Sequence, residues 1–229
     1  MIGELLNNLN KAEADPVVRV AVLTGAGRAF CAGGDVEYLD TLHDVNDRRL
    51  FVKKISDIVK TIFEMSKPVV AMVNGIAAGG GFNLALACDL VFAADTARFL
   101  QGFAKVGLAP EGGGLYILPR VVGLLRAKEL MFTTDPISAQ RALELNLVNY
   151  VLPEEELAAR VGYFADAFCC SAPLAMAITK KALNNAYNVS LTDSLEIEVL
   201  ANGLLMGTTD FAEGVKAFKQ KRMPEFTGR

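Results

Sequence analysis

Three glycine-rich segments hold the residues best suited to chemistry, and one of them includes a carboxylate. Glu111 follows Pro110 and precedes Gly112–Gly114, with apolar residues on either side. An isolated glutamate in such a place is commonly a favourable charge at a helix N-terminus. Apolar surroundings would instead raise its pKa and make it a general acid/base. On the residues alone, both interpretations of Glu111 stay open.

A second segment, Asn74–Gly81, ends in three consecutive glycines between a predicted strand and a predicted helix. The first N–H groups of a helix have no partner within it, and the helix dipole adds positive potential there. Such a helix start can hold a phosphate or a developing oxyanion. Close packing of the backbone against a strand explains the glycines equally well.

A third segment, Gly25–Phe30, begins like a dinucleotide-binding fingerprint but has Phe30 where the third glycine belongs. No helix opens there, because Cys31–Asp35 continues as a loop. We therefore interpret the segment as a glycine-rich turn. It leaves the backbone N–H groups near Gly33 and Gly34 free to approach a ligand.

The elements that position these segments alternate between strand and helix. Apolar residues recur at helical spacing over Phe51–Phe63, and Lys67–Pro68 ends that helix. A further helix begins at Gly79, and residues 25–47 form a loop. Apolar runs rich in β-branched residues predict three buried strands: Val18–Thr24, Val69–Val73 and Leu90–Ala93. This alternation indicates an α/β fold.

The last third of the chain predicts helices without strands. Ser171 is suited to cap the second of them, and Asp210 with Glu213 suits a capping arrangement for the last. The four predicted helices are Glu154–Ala167, Pro173–Ala186, Leu191–Leu205 and Phe211–Lys221. We therefore predict an α/β core over residues 1–153 and a helical extension over residues 154–229.

Composition excludes several classes of protein. A chain of 229 residues, 52% hydrophobic and 21% charged, is expected to fold as one large domain or one domain with a modest appendage. The net charge of −3, without a basic run, argues against nucleic acid as a partner. The uncharged stretch Pro68–Cys88 contains four glycines, which favours a buried strand, turn and helix over a membrane span.

Cysteine and histidine usage argues against metal and disulfide chemistry. The four cysteines show no CxxC spacing, and His43, the one histidine, lies in a polar stretch typical of a solvated loop. A Ser-His-Asp triad would have to use that residue. The N-terminus lacks the basic start and apolar core of a signal peptide. We expect no metal site and a reducing compartment, the cytoplasm.

The order and spacing of four motifs are specific. AFCAGGD at 29–35, KPVVAMVNGIAAGGG at 67–81, FAKVGLAPEGGGLYILPRVVG at 103–123 and EGVKAFKQKRMPEFTGR at 213–229 resemble the enoyl-CoA hydratase/isomerase (crotonase) family. The resemblance covers nearly the whole chain. It implies a spiral of ββα units that binds acyl-CoA, followed by a helical C-terminal trimerisation region. It also implies an acyl-CoA thioester substrate, whose coenzyme A is part of the substrate, so that no separate cofactor is needed.

The resemblance further implies a homotrimer or a dimer of trimers. An apolar stripe of Leu191, Leu195 and Val199 agrees with such an oligomer. Family members usually begin with two further strands, so this chain is expected to start in the helix that follows them.

The resemblance also assigns site residues. The family's oxyanion-hole positions fall on Gly34 and Gly80, whose N–H groups would hold the thioester oxygen as an enolate forms. Phe218 and Lys221 match tail positions that reach a neighbouring subunit's coenzyme A. The segment expected to contact the coenzyme A moiety comprises Ala32, Gly33, Asp35 and Val36.

Two positions depart from the hydratase pattern. Typical hydratases have glutamates where this chain has Asn83 and Phe103, and neither of these can act as a general base. Asn83 could at most orient the thioester or a water, and Phe103 would make the pocket drier. Glu111 remains, at a loop position where some isomerases of the family also keep a carboxylate.

A single carboxylate suits a proton shift from C2 to C4 of a 3-enoyl-CoA, so we predict an enoyl-CoA isomerase with Glu111 as the acid/base. One alternative is a hydratase or thioester hydrolase that uses Glu111 and water. Another is a catalytically degenerate protein that binds acyl-CoA, which the missing pair of glutamates supports.

Overall fold

The computed structural model describes residues 1–229 as two four-stranded sheets and eleven α-helices. The strands are β1 (Ala21–Thr24), β2 (Ala29–Cys31), β3 (Val69–Val73), β4 (Ile76–Ala78), β5 (Leu90–Ala94), β6 (Arg98–Leu100), β7 (Ile137–Ser138) and β8 (Tyr150–Leu152). The helices of the core region are α1 (Ile2–Ala14), α2 (Val36–Asp40), α3 (Val45–Glu64), α4 (Gly80–Ala87), α5 (Gly114–Val122), α6 (Leu124–Thr133) and α7 (Ala139–Glu144). The C-terminal helices are α8 (Glu154–Cys169), α9 (Pro173–Asn185), α10 (Leu191–Leu205) and α11 (Thr209–Gln220). Short 3₁₀ helices span Gly102–Val106 and Ala186–Asn188.

Strands β1 to β6 alternate between the two sheets, and β7 and β8 then form an edge of the second and of the first sheet. The first sheet has the order β1-β3-β5-β8 and is entirely parallel. The second has the order β2-β4-β6-β7, with β7 antiparallel to its neighbour and the others parallel. The chain thus contributes one strand to each sheet and then a helix before it repeats. This is the spiral of ββα units that the family resemblance implies.

The predicted strands of the first sheet are confirmed, and the second sheet corrects the prediction. β3 has the predicted bounds, because Pro68 and Asn74 flank a wholly apolar run. β1 is shorter than predicted and begins at Ala21. The expected loop over residues 25–47 in fact contains β2 and α2, and α3 begins within it at Val45.

Aromatic and small apolar side chains fill one core that joins both sheets to α4. Phe82 of α4 packs on Phe99 of β6 with ring centroids 5.2 Å apart. Phe92 of β5 stacks on Tyr150 of β8 at 4.9 Å and meets Phe164 of α8 edge-on at 5.1 Å. Since α4 is buried nearly all round, its position is fixed by packing on every side.

The C-terminal helices dock on this core partly through one ion pair, in which the Lys180 side chain is buried and the Asp89 side chain is partly exposed. Lys180 of α9 lies 2.7 Å from Asp89, which follows α4, and also donates to the main-chain oxygen of Lys67 at 3.0 Å. Asp89 accepts in addition from the Val69 N–H at 2.7 Å. Burial raises the pKa of Asp89, although Lys180 acts against that rise.

The four C-terminal helices are confirmed, but two predicted caps are wrong. Ala172 is the N-cap of α9, and the Ser171 hydroxyl instead donates to the Ala167 main-chain oxygen. Thr208 caps α11. The two acidic residues that we expected there bind the C-terminal tail: the Asp210 carboxylate accepts from the Thr227 and Gly228 N–H groups, and the Glu213 carboxylate pairs with Arg222.

The 15-residue helix α10 has no fully buried residue. Its apolar side chains are exposed instead; they include Leu191, Leu195, Val199, Leu200 and Leu204.

No single helix is both long and apolar enough to cross a membrane. One bent pair, Glu154–Cys169 with Pro173–Asn188, meets the criteria of length and composition together, at an angle of 110°.

Candidate active site

Three glycine-containing turns, at Gly33–Gly34, at Gly79–Gly81 and in the loop of Glu111, meet at one edge of the second sheet, whereas Gly25 and Gly27 precede β2 and lie at its other end. β2, β4 and β6 are neighbouring parallel strands, so their carboxyl ends lie at the same edge. β2 leads into Gly33–Gly34, and β4 leads into Gly79–Gly81. β6 leads through the 3₁₀ helix to the loop that carries Glu111. The second sheet therefore brings these segments together.

Each candidate oxyanion donor follows a glycine with positive φ. Gly33, with φ of +100°, precedes Gly34, and Gly79, with φ of +53°, precedes Gly80. Side-chain-bearing residues rarely adopt these conformations. The Gly34 N–H makes no hydrogen bond to another protein group, and Gly80 begins α4, where N–H groups lack partners within the helix. Two donors are thus available on adjacent turns.

The Glu111 carboxylate lies beside the second of these turns. Its Oε1 is 3.5 Å from the point where a Cβ on Gly80 would stand. No protein hydrogen bond to this carboxylate is present, and partial burial raises its pKa above the ordinary value. The carboxylate is free to accept a proton from a bound molecule.

A cavity of about 670 Å³ opens onto these groups. Glu111, Asp35 and Lys54 are the charged side chains that line it. Its apolar wall consists mainly of one face of α3 together with α1 and α4; the residues are Ile2, Leu5, Phe51, Ile55, Ile58, Val59 and Leu84. A mostly apolar cavity with a few polar groups at one end suits an apolar chain that ends in a polar reactive group.

The structure brings some of the predicted site residues to this cavity. Gly33, Gly34, Asp35, Gly80 and Glu111 line it together. The Asp35 carboxylate also caps α2 by accepting from the Tyr38 N–H at 3.1 Å, which fixes the loop that presents Gly34.

Other predicted residues lie elsewhere. Asn83 is fully buried, and its amide is bonded to protein groups, so the structure does not show the expected contact with a ligand. Phe103 is also buried and packs behind the Gly79 turn, 3.6 Å from where a Cβ would stand. Ala32 and Val36 are exposed beside the cavity rather than in its lining.

Phe218 and Lys221 do not approach this cavity within one chain. Phe218 is 87% exposed on α11, and Lys221 is exposed at the end of that helix. Their expected contact with a neighbouring subunit's ligand stays a prediction. His43 is exposed in a loop, as its polar neighbours predict. No group of three or more His, Cys, Asp or Glu side chains that could hold a metal ion is present.

Sequence reasoning missed several residues of the site. The apolar face of α3 was visible as a helical repeat, but nothing in that repeat distinguishes a cavity wall from core. Cys31, whose backbone lies against Gly81, lines the cavity as a free thiol. Gln101, fully buried beside Asn83, has no distinguishing sequence signal.

Comparisons with known proteins agree with the fold. The sequence model of the family described as Enoyl-CoA hydratase/isomerase matches residues 1–229. The chain is 36% identical over 232 residues to the 1,2-epoxyphenylacetyl-CoA isomerase of Escherichia coli, covering 100% of this chain and 88% of that protein. It is 36% identical over 227 residues to the crotonyl-CoA hydratase of Syntrophomonas wolfei, covering 99% and 87%. The crystal structure of an enoyl-CoA hydratase from Bacillus anthracis superposes with a TM-score of 0.95 at 37% identity, covering 100% and 88%.

The chain therefore belongs to the enoyl-CoA hydratase/isomerase family. Its ββα spiral with C-terminal helices is the crotonase fold. It is an acyl-CoA-processing member of that family of enzymes.

Proposed function

We propose that this protein is an enoyl-CoA isomerase that converts a 3-enoyl-CoA into a 2-enoyl-CoA, with Glu111 as its acid/base. The observation that carries the proposal is the place of the Glu111 carboxylate: it lines the cavity beside the Gly80 turn and is free of protein hydrogen bonds. The name of the E. coli relative, an acyl-CoA isomerase, supports the same class of reaction.

The proposed reaction needs one base and two donors. The Glu111 carboxylate takes a proton from C2, and the electrons of that C–H bond move toward the thioester oxygen to give a dienolate. The Gly34 and Gly80 N–H groups stabilise the negative oxygen, each contributing roughly 10²–10³ in rate. The protonated Glu111 then donates its proton to C4, and the double bond forms between C2 and C3. No atom is gained or lost.

The cavity supports this assignment of the substrate's parts. Its apolar wall on α3 offers a place for the acyl chain, and the thioester would lie between the two glycine turns. Coenzyme A would extend along the exposed segment Ala32–Val36.

Hydration is the second candidate, because a hydratase relative is as similar as the isomerase relative. In a hydratase, Glu111 would activate a water that adds to C3 of a 2-enoyl-CoA. The positions of Asn83 and Phe103 weigh against it, since neither side chain lines the cavity or can accept a proton there.

Oligomerisation is part of the proposal. α10 exposes Leu191, Leu195 and Val199 and has no fully buried residue, so another subunit is the natural cover for this face. We propose a homotrimer or a dimer of trimers, in which Phe218 and Lys221 approach a neighbouring subunit's coenzyme A.

Incubation with a 3-enoyl-CoA carrying deuterium at C2, followed by mass spectrometry and NMR of the product, tests the reaction. An isomerase with one base gives a product of unchanged skeleton with part of the deuterium at C4. Hydration of a 2-enoyl-CoA would add one water, and hydrolysis would release free coenzyme A. Tight binding without any of these products would identify a binding protein and refute the enzyme assignment.

A further inference from the structure

A chain of directional hydrogen bonds runs through the interior directly behind Glu111. The Asn83 Nδ2 donates to the main-chain oxygen of Glu111 at 2.6 Å, and the Gln101 Nε2 donates to the Asn83 Oδ1 at 2.7 Å. Both side chains are buried, with exposures of 0% for Asn83 and 1% for Gln101. Neither lines the cavity, so neither can contact the substrate directly.

The direction of each bond follows from the first acceptor. A main-chain oxygen can only accept, so the Asn83 NH₂ must face Glu111 and its oxygen must face Gln101. Gln101 must then present its own NH₂, which leaves the Gln101 Oε1 buried without a partner. An unpaired buried oxygen is unfavourable. The structure nevertheless keeps the Gln101 Oε1 unpaired, and in this arrangement the bonds from Asn83 to Glu111 and from Gln101 to Asn83 are both made.

Asn83 makes the only side-chain hydrogen bond to the loop of residues 107–114, which is otherwise held by the Gly114 N–H and by apolar contacts with Ile55, Val59 and Ile117. Gly112 and Gly113 both have positive φ directly after Glu111, a conformation that glycine permits but does not enforce. A Cβ on Gly114 would overlap the Asn83 amide, so the loop lies directly on this side chain. Asn83 is therefore the side chain that fixes where the loop stands.

α4, the helix that carries Asn83, also carries one of the oxyanion donors. Gly80 and Asn83 are three residues apart on α4 and share a face of that helix. Gly80 offers its N–H to the thioester, while Asn83 holds the backbone of the base. α4 thus sets the position of the base relative to the donor.

We infer that Asn83 and Gln101 are positioning residues for Glu111, holding its backbone so that the carboxylate stands beside the Gly80 turn. This inference rests on the proposed role of Glu111 as the acid/base. It also gives a reason for the asparagine at position 83, where typical hydratases have a glutamate, in a chain whose base is Glu111. An ionised glutamate there would set a negative oxygen against the Glu111 carbonyl, where the present geometry requires a donor.

Substitutions that remove the hydrogen bonds from Asn83 to Glu111 and from Gln101 to Asn83 test the inference. We expect Asn83→Leu to lower kcat for isomerisation by about 10- to 100-fold, because a misplacement of about 1 Å costs on that order, with KM nearly unchanged. Gln101→Met should give a smaller loss of the same kind. Asn184→Leu is the matched control: it removes a comparable bond from an asparagine amide to a main-chain oxygen, that of Phe63, outside the cavity lining. It should leave kcat unchanged.

The isosteric variant Asn83→Asp gives a readout that loss of stability alone would not produce. When protonated, the new carboxyl can donate to Glu111 and accept from Gln101, as the amide does. When ionised, it cannot donate. Because position 83 is more deeply buried than Glu111, the pKa of the new carboxyl should be raised further than that of Glu111. We therefore expect kcat near the wild-type value at low pH and a loss of about 10-fold or more as pH rises, assayed over about pH 5 to 10.

Two results would overturn the inference. One is a kcat of Asn83→Asp that stays parallel to the wild type over the whole range, and the other is an unchanged kcat for folded Asn83→Leu. Glu111→Gln, measured alongside, separates the two levels of the argument. If that variant keeps wild-type activity, the proposed function fails; if it is inactive while the position-83 variants are fully active, only the positioning role fails.

Discussion

Replacing Glu111 by glutamine should remove the proton acceptor of the site and change little else. The carboxylate accepts no hydrogen bond from the protein. The loop is held through the Glu111 main-chain oxygen, which glutamine retains, by Asn83 and by the Gly114 N–H at 3.2 Å. The donors at Gly34 and Gly80 remain as well. The variant therefore isolates proton transfer from the rest of the site.

The expected loss follows from the usual contribution of a positioned acid/base. That contribution is about 10²–10⁴ in rate, which corresponds to about 2.7–5.5 kcal/mol of barrier. Burial raises the pKa of Glu111 toward the pH of the assay, and a base matched to that pH is more effective. We therefore expect kcat for a 3-enoyl-CoA to fall by about 10³–10⁴, the upper half of the range.

Stability and pH dependence give independent checks on the same residue. Because the folded-state pKa of Glu111 is raised above its unfolded value, ionisation destabilises the fold as pH rises through that interval. Above it, Glu111→Gln should be as stable as the wild type or slightly more so. In the wild type, kcat/KM should rise with pH as Glu111 ionises, with a single pKa that lies above the ordinary glutamate value of 4.5. That acidic limb should be absent from any residual activity of the variant.

The assay is the appearance of the conjugated 2-enoyl thioester, followed by absorbance and confirmed by chromatography. Binding of an unreactive acyl-CoA analogue, measured by calorimetry, should change little, which shows that the cavity is intact. Folded Glu111→Gln that turns over substrate at the wild-type rate would refute the mechanism. A variant that loses analogue binding to the same extent as kcat would point to a binding role instead.

Three further changes probe other parts of the molecule. Gly34→Pro removes one oxyanion donor and should lower kcat by about 10²–10³. Gly34→Ala is the control, because it keeps the N–H and its Cβ meets only the end of the Leu39 side chain, at 3.3 Å. Equal activity of the two variants would argue against this donor. Leu195→Asp should convert the oligomer to smaller species in sedimentation at micromolar concentration, and a wild type that is itself monomeric would disprove the proposed assembly. Lys180→Met leaves the partly exposed Asp89 without its partner and should cost about 1–3 kcal/mol, or about 2–12 °C in Tm; adding Asp89→Asn should recover part of that loss, and an unchanged Tm would contradict the role of the pair.

Three strands of the first sheet, β1, β3 and β5, and the long helices of the C-terminal region could be predicted because each carries enough residues to show its pattern; β8, with three residues, could not. β3 is a five-residue apolar run between Pro68 and Asn74, and its predicted bounds are those observed. α10 begins and ends at the predicted residues, Leu191 and Leu205, and Ser190 with Asp193 forms a local capping box at its start. Such features depend on neighbouring residues alone.

The cap of α11 could not be predicted in this way, because distant groups compete for the same side chain. Asp210 is a reasonable capping residue by type and spacing. In the structure its carboxylate is taken by two N–H groups of the C-terminal tail, at Thr227 and Gly228, 17 and 18 residues further along the chain. Thr208 then caps the helix. Tertiary contacts decided between two locally acceptable caps.

The second sheet shows the larger limit, because the site depends on it. Its strands have only two or three residues each, too few for an alternating pattern to appear. Yet the parallel pairing of β2, β4 and β6 is what brings Gly34, Gly80 and the Glu111 loop to one edge. The family motifs marked Gly34, Gly80 and Glu111 individually, without showing why they converge. The short strands supply that reason.

Asn83 illustrates how a single position can be read differently once its neighbours are known. In the sequence, Asn83 stands where typical hydratases have a glutamate, which indicates that one acid/base is missing. In the structure, its amide donates to the backbone of Glu111 and accepts from Gln101, a residue that sequence reasoning did not single out. The replacement therefore removes one acid/base and provides the donor that holds another. On this argument, position 83 and the loop at Glu111 form one functional unit and must change together.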